Sequence, residues 1–251
     1  MPTSPGLRPA PTVTNHSPRR SGACPKTPSA HCPRTSAAST AAGIQRLGFA
    51  GCAAIVCSLC SNCDSVFPTA DALTHAGLDA TALWQHTLAV AVSAETIATY
   101  ARNDRSLAYL AGILHPVGMV ALDIAAQRRH LPARQPDERL PDWEYAHFGT
   151  DNAAIAARVL RHWKFPDTLS AIVAGRYLPG AAGDQTGPAS LLHVASILAE
   201  KLGGGLAGER GLFLPAVDRI TAAGLRWDEF GDAEVDAAQN LQRTRAMLNL
   251  D

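Results

Sequence analysis

The strongest constraint on the fold of this chain is the spacing of its apolar residues from residue 41 onward. Large apolar side chains recur at intervals of three and four positions, as Trp84, Leu88 and Ala91 do, and this spacing places them on one face of an α-helix. No stretch shows the sustained alternation, flanked by turn residues, that a half-buried strand requires. The sequence therefore predicts an all-α helical bundle. The helical repeat covers four segments: 84–98, 107–124, 155–163 and 191–202.

Residues 1–40 differ from the rest of the chain in charge and composition. They contain five basic residues and no acidic residue, together with 8 of the 17 prolines. A segment with so few large aliphatic side chains cannot bury enough apolar surface to offset the entropy lost on ordering. We therefore predict a disordered leader at 1–40 and one helical domain at 41–251.

The formal net charge of zero hides two charges of opposite sign. Without the leader, the 41–251 domain holds 17 basic and 22 acidic residues, a net charge of −5. Because an acidic domain is repelled by a phosphate backbone, a nucleic-acid partner is not expected.

Neither a secretory signal nor a membrane span is predicted. Residues 1–40 lack the apolar run of a signal peptide, and the first apolar stretch, 48–60, is too short to cross a bilayer. We therefore expect a cytoplasmic protein that does not associate with membranes. The Arg- and Ser-rich leader also fits an organellar transit peptide, and this alternative stays open.

Three cysteines, Cys57, Cys60 and Cys63, form a C-x2-C-x2-C pattern. Thiolates at this spacing can bind a zinc ion or an iron–sulfur cluster. No separate C-x2-C pair completes such a site, and 52–60 is rich in Ala, Ile and Val, a setting in which free cysteine packs as a small apolar residue. Buried structural thiols are therefore favoured over a metal site, and no cofactor is expected.

Two histidines lie within apolar helical segments. His86 shares a stripe with Val90 and Ile97, and His115 lies beside small residues that would let another helix approach closely. An inward-facing histidine of a bundle can bind a metal ion or take part in catalysis. It can equally be a neutral imidazole bonded to a backbone carbonyl, and spacing alone favours this second interpretation.

Several motifs resemble the HDOD family, the HD-related output domain of bacterial signalling proteins. They are LWQH at 83–86, LAYLAGILHPVG at 107–118, Glu144, GTDNA at 149–153 and VLRHWKFP at 159–166. The resemblance implies an HD-like helical bundle with a partial N-terminal lobe at 41–78 and an HD-like core at 79–251. It also implies a cytoplasmic regulatory module that binds a signalling protein. Loss of most of the lobe would expose apolar surface at 50–60, through which the chain could form a homo-oligomer.

The chain departs from the metal-binding pattern of the HD superfamily that it resembles. His86 and His115 match two ligand positions, but the aspartate expected after the second is Pro116, which has no side-chain oxygen. Asn152 and Arg176 stand where many relatives have histidines, and Arg176 would place a permanent positive charge near the metal position. The resemblance therefore implies a vestigial metal site and no enzymatic activity. The alternatives are an HD-type metal-dependent phosphohydrolase and a metal- or cluster-binding regulator that uses Cys57, Cys60 and Cys63.

The remaining local features are interpreted as structural. Thr150 is predicted to cap the helix that follows it, and the Gly- and Pro-rich segment 179–188 to form an exposed loop. Trp84 and Trp163 lie in the apolar stripes of their helices, so we expect both side chains to anchor the core.

Overall fold

The computed structural model of the chain describes residues 73–248, and within this range the chain forms nine α-helices and no β-strand. The all-α prediction is therefore confirmed for this part of the protein. The predicted leader, most of the predicted partial lobe and the three clustered cysteines lie outside the described residues. The helices are α1 (Ala80–Tyr100), α2 (Arg105–Leu114), α3 (Val117–Arg128), α4 (Leu140–Phe148), α5 (Asn152–His162), α6 (Asp167–Ala174), α7 (Thr186–Ala199), α8 (Val217–Ala222) and α9 (Glu229–Met247).

Helix α1 runs through the centre of the bundle. It begins after Asp79, whose carboxylate accepts a hydrogen bond of 2.8 Å from the backbone N–H of Ala82 and so caps the first turn. Every side chain from His86 to Ala94 is buried, because α2, α7 and α9 pack around this helix. Burial on every face over this stretch is typical of a central helix.

Two glycines allow close helix packing on either side of His115. A Cβ on Gly112 of α2 would lie 2.8 Å from the backbone nitrogen of Ala91 in α1. A Cβ on Gly118 of α3 would lie 2.7 Å from the backbone nitrogen of Ala156 in α5. Both distances are shorter than real Cβ contacts, so glycine is required at both positions. The small residues around His115 therefore hold the end of α2 against α1.

The apolar run Arg105–Arg128 is long and apolar enough, by length and composition, to cross a bilayer. It is divided into α2 and α3 by His115 and Pro116, and 78% of its most apolar window is buried inside the bundle. The core helix of a folded bundle can be equally long and apolar, and this run supplies core helices in the described structure.

A smaller apolar cluster lies beside the main core and includes the first described residues. Residues 73–78 pack against Met119 of α3 and Trp143 of α4. The buried carboxylate of Asp123 accepts a hydrogen bond of 2.7 Å from the backbone N–H of Ala76. The packing and this hydrogen bond therefore hold the segment 73–78, which precedes α1, against the bundle.

Two local predictions are wrong. Helix α5 is capped by Asp151 and not by Thr150, since the Asp151 carboxylate accepts a hydrogen bond of 2.8 Å from the backbone N–H of Ala154. The segment predicted as a loop at 179–188 instead forms a 3-10 turn, Pro179–Gln185, followed directly by the start of α7. Proline in a first turn is compatible with both helix types, so the Gly and Pro content did not exclude helix here.

The tryptophans also differ from expectation. Trp84 and Trp163 are both half-buried, although Trp163 does pack against the main core. The fully buried tryptophan is Trp143, in a short helix whose sequence shows little apolar repeat. Long-range packing decides how deeply a large aromatic ring is buried, so its place in a helical stripe is not sufficient.

Candidate functional site

His86 and His115 meet in the buried centre of the bundle. His86 projects from the second turn of α1, and His115 follows the last residue of α2. Both side chains are buried, their rings meet edge to face, and their Nε2 atoms lie 3.1 Å apart. The structure therefore joins the two histidines by direct contact and leaves no cleft between these nitrogens.

The other ring nitrogens identify the tautomer of each imidazole. Nδ1 of His86 lies 2.7 Å from the carbonyl oxygen of Gly204, and Nδ1 of His115 lies 2.7 Å from that of Gly112. A carbonyl oxygen only accepts hydrogen bonds, so each Nδ1 carries the proton and donates it. In the neutral rings, both Nε2 atoms are then acceptors, and their lone pairs face each other.

Burial keeps both imidazoles neutral. Desolvation lowers the pKa of His86 from 6.5 to about 4, although the nearby Glu209 carboxylate opposes this shift. The pKa of His115 is lowered well below its ordinary value, mainly by burial and further by the charge of Arg176. The interpretation of these residues as neutral buried histidines bonded to backbone carbonyls therefore agrees with the structure.

Arg176 supplies a positive charge to this pair. Its Nη2 donates to Nε2 of His86 at 3.2 Å, and its Nε donates to the hydroxyl of Ser196 at 3.2 Å. Its Nη1 and Nη2 each lie 2.7 Å from one carboxylate oxygen of Glu209. This two-point ion pair is completely buried, with side chains that are 1% and 2% exposed.

The ion pair keeps both of its partners charged. Burial disfavours the charged form of Arg176, yet the charge of Glu209 and its hydrogen bonds raise the pKa of this guanidinium above its ordinary value. Burial would raise the pKa of the Glu209 carboxyl, but the Arg176 charge and its hydrogen bonds lower it overall. The centre therefore contains one fixed positive and one fixed negative charge.

A chain of hydrogen bonds extends from this ion pair to Asn152. The hydroxyl of Tyr177 donates to the Glu209 carboxylate, and Asn152 Nδ2 donates to the Tyr177 hydroxyl oxygen at 2.8 Å. Asn152 also donates to a carboxyl oxygen of Glu144 from Nδ2 and from its backbone N–H, both at 2.8 Å. Burial raises the pKa of Tyr177 well above its ordinary value, so the hydroxyl keeps its proton.

Glu144 is a buried carboxyl group at the far end of this chain of hydrogen bonds. Desolvation raises its pKa from 4.5 to about 8, and the two bonds from Asn152 only partly offset this effect. The side-chain oxygen of Asn152 is itself buried and makes no hydrogen bond to any described residue. This end of the network therefore carries a neutral acid at neutral pH and a polar atom with unused bonding capacity.

The five residues singled out from the sequence occupy different parts of this arrangement. His86, His115 and Arg176 meet at the centre, and Asn152 joins them through Tyr177 and Glu209. Pro116 follows His115 at the start of α3 and makes no side-chain hydrogen bond there. Asn152 and Arg176 therefore belong to one polar network, whereas Pro116 contributes no polar side-chain atom to it.

Glu209 is the central residue that the sequence did not identify. It lies in the turn after α7, 33 residues beyond Arg176. Its only sequence signal is its position as the single acid in the Gly-rich, largely apolar stretch 202–214. An isolated acid in such a stretch needs a buried partner, but the sequence does not show which base that partner is.

A divalent cation does not fit this set of side chains. Nη2 of Arg176 contacts both the His86 Nε2 and the Glu209 carboxylate, so a cation bound to those two atoms would touch the guanidinium. The Glu209 charge is already neutralised by Arg176, and Pro116 supplies no side-chain oxygen. In 73–248 no three imidazole, carboxylate or thiol side chains are arranged to bind a metal ion. The cysteine pattern at 57–63 lies outside the described residues.

Comparison with protein families and solved structures supports the resemblance. A family model described as HDOD domain matches residues 30–179. A solved structure from Shewanella amazonensis named "Putative phosphohydrolase" is 19% identical, with a TM-score of 0.50, covering 71% of this chain and 66% of that chain. The MmoQ response regulator from Methylococcus capsulatus is 20% identical, with a TM-score of 0.45, covering 64% and 63%.

The likeness to the Shewanella structure concerns the fold alone. The chain spans just under two thirds of the length of the two solved structures, and identities near 20% relate architecture alone. The structural match agrees with the HD-like helical bundle expected from the motifs at 83–166. Comparison with curated proteins finds no match.

Proposed function

Since this chain belongs to the HDOD family, we propose that it is a non-catalytic regulatory module of bacterial signal transduction that acts by binding a partner protein. The observation that carries the proposal is the buried guanidinium of Arg176, bonded to both His86 and Glu209. A metal-dependent hydrolase needs a cation that activates a water molecule. Here the guanidinium of Arg176 occupies the centre. It carries a permanent positive charge, but unlike a metal ion it cannot coordinate and activate a water molecule.

The neutral histidines support the same proposal. Each imidazole donates from Nδ1 to a backbone carbonyl and is enclosed by packed helices. These contacts stabilise the fold at the junction of α1, α2 and the turn after α7. We therefore assign the polar residues at the centre a structural role and place the binding function on the outer surface of the bundle.

Exposed apolar side chains offer contacts for a partner protein. Leu178 and Leu214 are 61% and 66% exposed, and each directly follows one member of the stacked ring pair Tyr177 and Phe213. Val217, at the start of α8, is 59% exposed. Large apolar residues on a surface mark protein-binding regions when they cluster, and the stacked rings bring the first two into one neighbourhood.

A hydrolysis assay separates this proposal from the phosphohydrolase alternative. The full chain and its His115→Ala variant are incubated with Mn²⁺ and bis-p-nitrophenyl phosphate, a generic phosphodiester. We expect the two proteins to release equal, background amounts of nitrophenol. Turnover that is abolished by His115→Ala would overturn the non-catalytic proposal.

Binding to a partner is tested by affinity capture from a bacterial extract with three forms of the full chain. The double variant Leu178→Asp/Leu214→Asp alters the exposed apolar residues, and Val235→Asp on α9 is the matched control, because Val235 is 57% exposed. We expect one protein to be retained by the wild type and by the control and lost from the double variant. The same retained proteins for all three forms would contradict this surface assignment.

The self-association expected from the partial lobe at 41–78 is tested separately. Sedimentation equilibrium of the full chain is expected to show a homo-oligomer. The Ile55→Asp variant, which places a charge in the apolar stretch 50–60, is expected to be monomeric. A monomer at all concentrations would contradict that part of the proposal.

A further inference from the structure

We propose that Arg176 acts as a built-in replacement for a divalent cation, and that its guanidinium is what keeps His86, His115 and Glu209 from binding a metal ion. This proposal rests on the non-catalytic part of the proposed function, and partner binding is a separate claim. If it failed, partner binding by the outer surface would be unaffected. It predicts a latent metal site that opens when the side chain of residue 176 is shortened.

The first support is the direction of the imidazole lone pairs. The two Nδ1–H groups donate to the carbonyl oxygens of Gly204 and Gly112, so the two Nε2 lone pairs point toward one region. A histidine that binds a metal ion usually donates its other ring N–H to a carbonyl or carboxylate in this manner. His86 and His115 therefore already have the tautomer and the orienting contacts that metal binding requires.

The second support is a lone pair without a donor. Nε2 of His86 accepts from Arg176, whereas Nε2 of His115 faces only Nε2 of His86 at 3.1 Å. Two acceptors at this distance repel each other unless a proton or a cation lies near both. The guanidinium supplies that positive charge from the side of His86.

The third support is the spacing of the donor atoms. Nε2 of His86 lies 3.1 Å from Nε2 of His115 and 3.8 Å from a carboxylate oxygen of Glu209. Metal–ligand bonds of about 2.0–2.2 Å in a tetrahedral site place neighbouring donor atoms about 3.3–3.6 Å apart. The two distances from His86 Nε2 therefore lie within a few tenths of an ångström of those that a tetrahedral site requires.

The fourth support is the charge that remains when Arg176 is removed. Glu209 forms its two-point ion pair with Arg176, and both side chains are buried. Shortening residue 176 leaves a buried carboxylate, two imidazole acceptors and the space of the lost guanidinium. An uncompensated buried anion is strongly destabilising, and a divalent cation with oxygen and nitrogen preference would relieve it.

The test uses the full chain with Arg176→Ala and Co²⁺ as the probe. In EDTA we expect this variant to melt at a lower temperature than the wild type. Addition of Co²⁺ should raise its melting temperature, with one extra equivalent bound relative to the wild type in equilibrium dialysis. The melting temperature of the wild type should not change with EDTA or Co²⁺ in any way that requires His115.

Matched variants identify the ligands and control for the cysteines. Arg176→Ala/His115→Ala retains every cysteine but lacks one proposed donor, so its Co²⁺ affinity at this site should fall by about tenfold or more, since even indirect contacts change metal affinity by 10–100-fold. Arg176→Lys keeps a positive charge and should not gain the extra equivalent.

Three results would overturn the proposal. One is equal Co²⁺ binding by Arg176→Ala and by the double variant. Another is wild-type protein that binds Co²⁺ through His115, because Arg176 would then not exclude the ion. The last is an Arg176→Ala protein that is unfolded in EDTA and stays unfolded in Co²⁺, since the cation is expected to restore the fold.

Discussion

The carboxylate of Glu209 meets the guanidinium of Arg176 through two hydrogen bonds of 2.7 Å in the interior of the bundle. The two residues are separated by 33 positions and by the whole of α7. Because the side chains are almost fully shielded from water, each needs the other to remain charged. The pair therefore ties the turn after α7 to the segment after α6.

Removal of the charge of Glu209 should destabilise the fold strongly. Glu209→Gln is nearly isosteric but leaves the Arg176 guanidinium without its counter-charge, so we expect the free energy of unfolding to fall by about 3–5 kcal/mol. Urea titration followed by circular dichroism measures the change. Glu234→Gln is the control, because Glu234 pairs with Lys201 at the surface and its loss should cost less than about 1 kcal/mol. Equal losses for the two variants would contradict the assignment.

Gly118 should tolerate no side chain. A Cβ at this position would lie 2.7 Å from the backbone nitrogen of Ala156, so Gly118→Ala forces α3 away from α5 and should destabilise the protein by about 1–3 kcal/mol. In α9, a Cβ on Gly231 would meet no heavy atom within 4 Å. Gly231→Ala should therefore be neutral or stabilising by up to about 1 kcal/mol. Thermal unfolding of both variants checks the contrast.

Stability should fall as the pH rises from 6.5 to 8 because of Glu144. Its pKa is raised from 4.5 to about 8, so the folded protein binds one more proton than the unfolded chain between these values. The stabilisation is complete below 4.5 and is lost as the pH passes through about 8. The lowered pKa of His86 affects stability only below 6.5.

Glu144→Gln isolates this contribution. The difference in unfolding free energy between pH 6.5 and 8 should be smaller in Glu144→Gln than in the wild type, since the variant has no proton to lose at this position. Urea titrations at the two pH values measure it, and groups outside the site cancel in the comparison. An unchanged pH dependence would show that Glu144 is ionised at neutral pH.

Asp123 should be required to hold the residues that precede α1. Its carboxylate accepts 2.7 Å hydrogen bonds from the backbone N–H of Ala76 and from the Gln127 side chain. Asp123→Ala leaves the buried Ala76 N–H without this acceptor and should destabilise the protein by about 1–3 kcal/mol. Asp123→Asn keeps one acceptor oxygen and should lose less. Faster hydrogen exchange at the Ala76 amide in Asp123→Ala alone would identify the cause.

Much of the fold could be predicted because a helix with one buried face requires apolar residues at intervals of three and four, and this spacing is visible in the sequence. The repeat at 84–98 identified the central helix correctly, whereas the single repeat at 107–124 covers two helices that His115 and Pro116 separate. The small residues near His115 correctly indicated close packing. Local chemistry was less decisive at helix ends. Thr150 and Asp151 are both good capping residues, and only the backbone geometry shows that Asp151 accepts the bond from Ala154.

The sequence predicted several residues of the candidate site, but it did not predict which of them contact each other. His86, His115 and Arg176 were identified by their motif positions, and the structure brings them together. Glu209 was missed because a lone acid has no periodicity to mark it. Trp143 was missed for a similar reason, since its burial depends on residues 73–78 and on α3 and not on its own helix.

The sequence by itself determined the main helices, the HDOD membership and which polar residues to examine, namely His86, His115, Asn152 and Arg176, because each of these follows from residue identity and local spacing. Only the tertiary structure decided that Arg176 pairs with Glu209, that the His86 and His115 lone pairs converge, and that Glu144 is held as a neutral acid. The physical reason is that charge pairing and desolvation depend on distance in space. Residues far apart in the chain, as Arg176 and Glu209 are, acquire those distances only when the bundle closes.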